Sequence, residues 1–323
     1  MKALIPPLRV LLSLGIFVSV FVSLMIDYSW TSALSRSNSV TVFAYGDVAF
    51  CPSPTGIRGT IKRWFNKIIH KYKAGGHKDT GKQLDSTSGT ILGLGDLAYN
   101  DGSSDNYQNC FDPAWGRHKN RIRPTPGNHD YSTGNADGYF GYFGRAAGPM
   151  SKGYYSFDLG DWHLISLNSN IRYVDLEHQI SWLRDDLSKT KTRCILAYWH
   201  HPTFTAGRKG YTVETRALFE VIYHFGGSIV ISGHEHGYER HAPQDATGKL
   251  DLDRGVRQFV VGTGGASLRN LDHKSGGKNL EAKIESEWGF LKLTLHPTGY
   301  QWEFLPTDSD SKRDKGSGKC VEK

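Results

Sequence analysis

Five apolar runs in this sequence break into residues that bind metals or move protons. "VTVFAYGD" (40–47) ends in Asp47 and "TILGLGD" (90–96) in Asp96. "RIRPTPGNHD" (121–130) carries Asn128 and His129, "CILAYWHHP" (194–202) carries His200 and His201, and "SIVISGHEH" (228–236) carries His234 and His236. Apolar runs stopped by Gly and polar residues read as strands running into loops. In open α/β sheets, side chains at the carboxyl ends of strands gather at one crevice. Convergence there would assemble two carboxylates, one amide and several imidazoles, a mixed oxygen and nitrogen set suited to Zn, Mn or Fe. The donors exceed what one ion takes, and two ions sharing a bridging carboxylate would use them. Taken singly the signals are weak: an Asp after a strand is commonly a turn former, and a lone His-x-His is more often a surface or core pair. The weight lies in their joint occurrence, in this order, each after an apolar run.

The elements that must position these residues are legible around them. "GYYSFDLGDWHLISLN" (153–168) reads as a β-hairpin turning at Leu159-Gly160-Asp161. "VDLEHQISWLRDDL" (174–187) reads as a helix, with Leu176, Ile180, Leu183 and Leu187 on one face. "RQFVVGTGG" (257–265) and the hairpin "FLKLTLHPTGYQWEFL" (290–305) end the core. "GTGGAS" (262–267) lacks the Lys-Ser/Thr ending of a phosphate-cradling loop and reads as a structural turn. Alternating strands and helices in the middle predict largely parallel pairing, with antiparallel strands added by the hairpins. A layered α/β sandwich with mixed sheets follows. In "RGTIKRWFNKIIHKYK" (58–73), Ile61, Trp64, Phe65, Ile68, Ile69 and Tyr72 fall at helical spacing, which predicts a basic amphipathic helix packed on a sheet. The last residues, "TDSDSKRDKGSGKCVEK", read as a loose polar tail except where Cys320 ties it down.

The chain has 323 residues and a net charge of +7. No recognised nucleic-acid module accompanies the basic charge, so a nucleic-acid partner is not expected. Lys2 and Arg9 precede an uncharged apolar run (10–26), with small residues at Ala33 and Ser35 beyond it. That is the pattern of a signal peptide or an N-terminal membrane anchor, and it predicts export. Four cysteines, Cys51, Cys110, Cys194 and Cys320, fit an oxidising compartment. They allow three pairings, and spacing does not choose among them. Nothing in the sequence sets the oligomeric state.

In order, "GD" (46–47), "GDLAY" (95–99), "GNHD" (127–130), "HHP" (200–202) and "GHEHGYER" (233–240) resemble the five motifs of calcineurin-like metallophosphoesterases, and specifically their purple acid phosphatase branch. The resemblance covers about 40–305. It implies a four-layer α/β/β/α sandwich with two mixed sheets. It also implies a division into a leader (1–35), a metallophosphoesterase catalytic domain (36–306) and a polar tail (307–323). The first motif follows the leader directly, so the extra N-terminal β domain of the large plant enzymes is not expected.

The broader superfamily begins with Asp-x-His, and that histidine is a metal ligand. Here the run is "GDVA", with Ala49 in its place, and Tyr99 of "GDLAY" supplies the missing donor. A phenolate is a hard anionic ligand whose ionisation a highly charged ion favours, which predicts Fe(III) at the first site. By resemblance, Asp47, Asp96, Tyr99 and His236 hold the first metal. Asp96, Asn128, His200 and His234 hold the second, which is Zn, Mn or Fe(II), and Asp96 bridges. His129 and His201 are left for phosphate contact and proton transfer. The implied activity is hydrolysis of small phosphate monoesters by metal-activated hydroxide. Alternatives are a phosphodiesterase or nucleotidase on the same centre, or a phosphate-binding protein without catalysis.

Overall fold

Alternation along the first strand already separates the layers, because Val42 and Ala44 point one way and Phe43 and Tyr45 the other. The computed structural model describes residues 39–50, 75–207, 213–271 and 277–322. The leader and the basic segment 58–73 lie outside the described residues. The strands are β1 (Val40–Tyr45), β2 (Ala49–Phe50), β3 (Thr90–Leu94), β4 (Ala98–Tyr99), β5 (Ile122–Thr125), β6 (Tyr155–Leu159), β7 (Trp162–Ser166) and β8 (Cys194–Trp199). They continue as β9 (Ile229–Ser232), β10 (Tyr238–His241), β11 (Arg257–Val261), β12 (Leu280–Ile284), β13 (Gly289–His296), β14 (Gly299–Pro306) and β15 (Lys315–Lys319). The longer helices are α1 (His77–Gln83), α2 (Asp137–Phe143), α3 (Leu176–Lys189) and α4 (Val213–His224).

One sheet has six strands in the order β15-β14-β13-β1-β3-β5, and the other has seven in the order β12-β10-β11-β9-β8-β7-β6. The parallel pairs are β1–β3, β3–β5, β7–β8, β8–β9 and β9–β11, with β5 at the edge of the six-stranded sheet. The β6–β7 and β13–β14 hairpins add antiparallel strands, as the sequence predicts. Gly160, at φ 59, takes the first of two turn positions between Leu159 and Trp162, where a side chain would be strained.

Three apolar clusters fill the spaces between four layers. Val42, Ala44, Leu92 and Leu94 of one sheet meet Leu164, Leu196, Ile231 and Phe259 of the other. Phe43, Tyr45 and Ile91 face outward onto Phe111, Trp115, Tyr139 and Phe143. Ile165, Ile195, Ala197 and Val230 face Leu183 and Leu187 of α3 and Leu218, Phe219 and Ile222 of α4. The central strands β3, β7, β8 and β9 therefore bury both faces, which is why those runs are apolar throughout. Asp175 caps α3 by accepting the His178 N–H at 3.0 Å.

The C-terminal segment departs from the expectation of a loose tail. Lys315–Lys319 pairs along β14 as the edge strand β15, and Cys320 is bonded to Cys194 at the start of β8. Asp314 accepts from Arg240 at 2.8 and 3.0 Å and from the Tyr238 hydroxyl at 2.6 Å. An edge strand needs backbone pairing on one side only, so "KGSGK" can form one without an apolar face. The polar composition that suggests disorder is what an exposed edge carries.

Candidate metal centre

The motif residues sit just beyond the carboxyl ends of β1, β3, β5, β8 and β9. Three of them hold backbone in the left-handed region that β-carbon sterics disfavour: Asp47 (φ 60), Asp96 (φ 52) and His234 (φ 71). Local hydrogen bonds keep them there. The Asp47 N–H donates to Gly95 O at 3.1 Å and the Val48 N–H to Asp96 O at 3.0 Å, zipping the first two loops together. The glycine-rich turn after β11 clamps the same loop, with Gly264 N–H on Gly46 O at 2.9 Å and Ala266 N–H on Asp47 O at 2.9 Å. That turn is structural, as expected. Gly95 is at φ +84, and a Cβ there would lie 2.7 Å from His200 Nδ1, so only glycine fits.

Five of the seven predicted ligands meet directly. The Tyr99 hydroxyl donates to Asp47 Oδ1 at 2.6 Å and lies 3.1 Å from both Asp96 Oδ2 and His236 Nε2. His236 Nε2 is 3.2 Å from Asp47 Oδ1. His200 Nε2 is 3.3 Å from Asp96 Oδ2, and it joins the other two predicted ligands, 3.2 Å from Asn128 Oδ1 and 3.1 Å from His234 Nδ1. Asp96 therefore touches both halves of the set, the position a bridging carboxylate needs. Asp47, Asp96, Tyr99, His200, His234 and His236 are all buried.

The donor chemistry fits cations. Leu94 O and Ser267 O can only accept, so the ring nitrogens facing them at 2.8 and 2.6 Å, His200 Nδ1 and His236 Nδ1, carry hydrogen. In its neutral form each ring turns an Nε2 lone pair toward the carboxylates, and that of His200 also toward the Asn128 oxygen. Acceptors facing acceptors in a buried space call for positive charge. Metal-binding histidines characteristically have their second nitrogen anchored in this way. The electrostatics agree. Burial opposes charge on His200, yet the Asp96 and Asp47 carboxylates raise its pKa to about 9. Burial likewise works against Asp96, but His200 and His129 bring it down to about 2. Burial and the two carboxylates push the Tyr99 phenol well above its ordinary range, so it ionises only beside a strong cation.

The family model of calcineurin-like phosphoesterases matches residues 41–238. The chain belongs to this family. Among curated relatives, purple acid phosphatase 15 of Arabidopsis thaliana is 30% identical over 54% of this chain and 40% of its own length. Human acid phosphatase type 7 is 25% identical over 69% of this chain and 58% of its own length. The chain thus spans about half the length of these relatives. A purple acid phosphatase from yellow lupin seeds shares the fold with a TM-score of 0.70, at 18% identity, over 87% of this chain and 54% of that one. The two mixed sheets are those of the metallophosphoesterase fold, and the similarity to the purple acid phosphatase branch read from the motifs holds.

In this chain, His129 stands apart from the cluster of predicted ligands. It is about a third exposed, its Nδ1 donates to Asn100 O at 2.5 Å, and its Nε2 is 3.9 Å from Asp96 Oδ2. Its ring packs 4.5 Å from that of Tyr99. His201 lies beside the cluster, its ring 4.5 Å from His234 and 4.9 Å from His200. Among the described residues, His200, His201 and His234 also form one group with metal-ligand spacing, as do Asp47, Asp96 and His200.

Two groups of residues were not anticipated. Asp130, the last residue of "GNHD", accepts the Gly127 N–H at 2.8 Å, the Asp96 N–H at 3.2 Å and the Tyr107 hydroxyl at 2.6 Å. It ties the second and third loops together, and its place in the motif was the signal. The other group is Asn168-Ser169-Asn170 after β7. "WHLISLNSN" is a sixth apolar run breaking into polar residues, so the reading that found the other five applies to it as well.

Proposed function

We propose that this chain is an exported phosphatase that hydrolyses small phosphate monoesters at a dinuclear metal centre. Asp47, Asp96, Tyr99 and His236 would hold the first ion, Fe(III), and Asp96, Asn128, His200 and His234 the second, Zn, Mn or Fe(II). The observation that carries the reading is the buried Tyr99 hydroxyl placed among Asp47, Asp96 and His236, in a chain with Ala49 where the superfamily has a histidine ligand. When bound, two such ions polarise a phosphoryl group and supply a nucleophile from water near neutral pH.

The chain's own residues account for the rest. Asp96 fixes the spacing of the two half-sites, because one carboxylate contacts both. His129 is anchored through Nδ1, so it presents Nε2 toward the centre from a partly exposed position. In its imidazolium form the ring carries hydrogen on Nε2 as well, and it can hand that proton to a departing alkoxide oxygen and return to the neutral Nδ1–H ring. His201 contributes from the opposite flank, beside His234. The domain division (leader 1–35, catalytic 36–306, C-terminal 307–323) belongs to the proposal, with the last segment docked on the catalytic sheet. Export is supported by the disulfide chemistry: Cys194 is bonded to Cys320, and Cys110 is also in a disulfide.

Elemental analysis of purified protein, with its visible spectrum and assays on alkyl phosphate, nitrophenyl phosphate and a bis-aryl phosphate, tests the reading. Two metals per chain, tyrosinate-to-iron colour lost in Tyr99→Phe, and preference for monoesters are expected. Protein with one metal or none and no esterase activity would defeat it. A colourless, active zinc or manganese protein would remove iron alone.

A further inference from the structure

The histidines of the centre differ in what holds their Nδ1. For His200, His236 and His129 the partner is a backbone carbonyl, of Leu94, Ser267 and Asn100. For His201 it is the Ser169 hydroxyl, at 2.8 Å. A carbonyl partner fixes where a neutral ring's hydrogen sits, whereas a hydroxyl partner can serve either tautomer. A carbonyl only accepts, so it forces hydrogen onto Nδ1 and leaves Nε2 as a lone pair. A hydroxyl has one hydrogen to give and two lone pairs to receive. Ser169 Oγ already accepts the backbone N–H of His201 at 3.0 Å. Among the described residues, the acceptor for its own hydrogen is His201 Nδ1. The accounting closes when Oγ–H donates to Nδ1, which puts the neutral ring's hydrogen on Nε2.

Resting on the dinuclear phosphatase reading, we propose that Ser169 is a positioning residue that fixes His201 as an Nε2–H donor to a substrate phosphate oxygen and not as a metal ligand. Spacing alone groups His201 with His200 and His234 as a third ligand, but a ligand needs a bare nitrogen at the centre. Ser169 stands on a platform built to hold it. The Asn168 N–H donates to Gln179 Oε1 at 2.8 Å, and Gln179 Nε2 donates back to Asn168 O at 2.9 Å, tying the loop to α3. Asn168 Nδ2 donates to the Tyr131 hydroxyl at 2.8 Å. The Asn170 side chain donates to Pro126 O at 3.0 Å, just ahead of "GNHD". Asn168, Ser169, Asn170 and Gln179 are all buried. Four buried polar residues spent on one loop are the support shell that a precisely aimed side chain requires.

The test compares Ser169→Ala and Ser169→Thr with wild type, all loaded with zinc. Histidine ¹⁵N–¹H correlation spectra report which ring nitrogen carries hydrogen. The expected wild-type His201 signal is the Nε2–H form, kept in Ser169→Thr and lost or mixed with the other form in Ser169→Ala. Metal content should stay at the wild-type value in all three. Turnover of an alkyl phosphate should fall about tenfold in Ser169→Ala, the scale of one lost hydrogen bond, and recover in Ser169→Thr. Loss of metal in Ser169→Ala would make His201 a ligand and overturn the proposal. A wild-type Nδ1–H signal, or a Ser169→Ala enzyme as active as wild type, would overturn it alone. An inactive wild type that binds no zinc would overturn the phosphatase reading and this inference with it.

Discussion

Strand β8 begins at Cys194, bonded to Cys320, and runs into His200 and His201 at its other end. Around Cys194 donors and acceptors are paired, His296 Nε2 excepted. Trp162 Nε1 donates to His296 O at 2.8 Å, the Cys320 N–H to Thr298 O at 3.0 Å, and the Val321 N–H to Ser228 Oγ at 3.2 Å. Around His200 they are not: carboxylates, a phenol and imidazole lone pairs crowd together, and three non-glycine residues hold left-handed backbone. Each such residue costs about 1–2 kcal/mol. A disulfide closing a separation of 126 residues stabilises by typically 2–4 kcal/mol. The two ends are thus of comparable size and opposite sign. Stability is held at the end with no chemistry, which lets the other end keep an arrangement that positive charge relieves.

The contrast breaks most sharply at Asp96. Asp96→Ala removes the carboxylate that contacts both half-sites, so it should lose metal and abolish turnover of alkyl and nitrophenyl phosphate alike. Metal analysis and both assays on the same sample check this. Retention of two metals, with activity on either substrate, would mean the half-sites do not depend on Asp96.

His129→Ala should give the next largest effect, and a selective one. General acid catalysis is typically worth about 10²–10⁴-fold, and its share depends on how badly the leaving group needs a proton. Alkyl phosphate should show the full loss, and nitrophenyl phosphate, whose leaving group is a stable anion, far less. Both metals should remain. Equal slowing of the two substrates, or lost metal, would make His129 a phosphate-positioning group or a ligand.

At the other end, Cys320→Ser should reverse that pattern. It should cost roughly 2–4 kcal/mol of unfolding free energy and leave kcat and metal content at wild-type values. Denaturant unfolding and steady-state assays decide. A large fall in kcat would show that the two ends are coupled along β8 and not independent.

What the sequence made legible follows from the same contrast. The strands that feed the centre were readable because burying both faces demands continuous apolar runs, and Gly-Asp, Asn-His and His-x-His interrupt them abruptly. "GDVA" with "GDLAY" singled out Tyr99, and its hydroxyl lies among Asp47, Asp96 and His236. Residues that hold other residues were much less legible. Ser169, Asn168 and Gln179 are ordinary polar residues whose importance lies in partners 11–37 positions away. Strand β15 was invisible because "KGSGK" needs only one backbone neighbour. The Cys194–Cys320 pairing depended on where β15 ends, so it could not precede that strand.

The smallest effect sharpens the picture of the settled end. His163, one residue along β7 from Trp162, bridges Asp158 at 2.6 Å through Nδ1 and Asp186 of α3 at 2.8 Å through Nε2. Asp186 also accepts from the Ser156 hydroxyl at 2.8 Å. Burial disfavours charge on the imidazole, but hydrogen bonds to Asp186 and Asp158 outweigh it and raise its pKa above the ordinary value. A raised histidine pKa contributes stability that is fully present below the unfolded value, about 6.5, and is lost as pH rises through the folded value. Asp158 is largely exposed, so solvent screening limits the contribution to about 1 kcal/mol or less. His163→Gln keeps hydrogen-bonding capacity but cannot take the charge. The unfolding free-energy gap between wild type and His163→Gln should therefore be largest near pH 5.5 and shrink toward pH 9. Taking the difference cancels the titration of Asp47, Asp96 and His200, because the centre is the same in both proteins. A gap that stays constant, or widens with pH, would show that charge on His163 adds no stability at this end of the molecule.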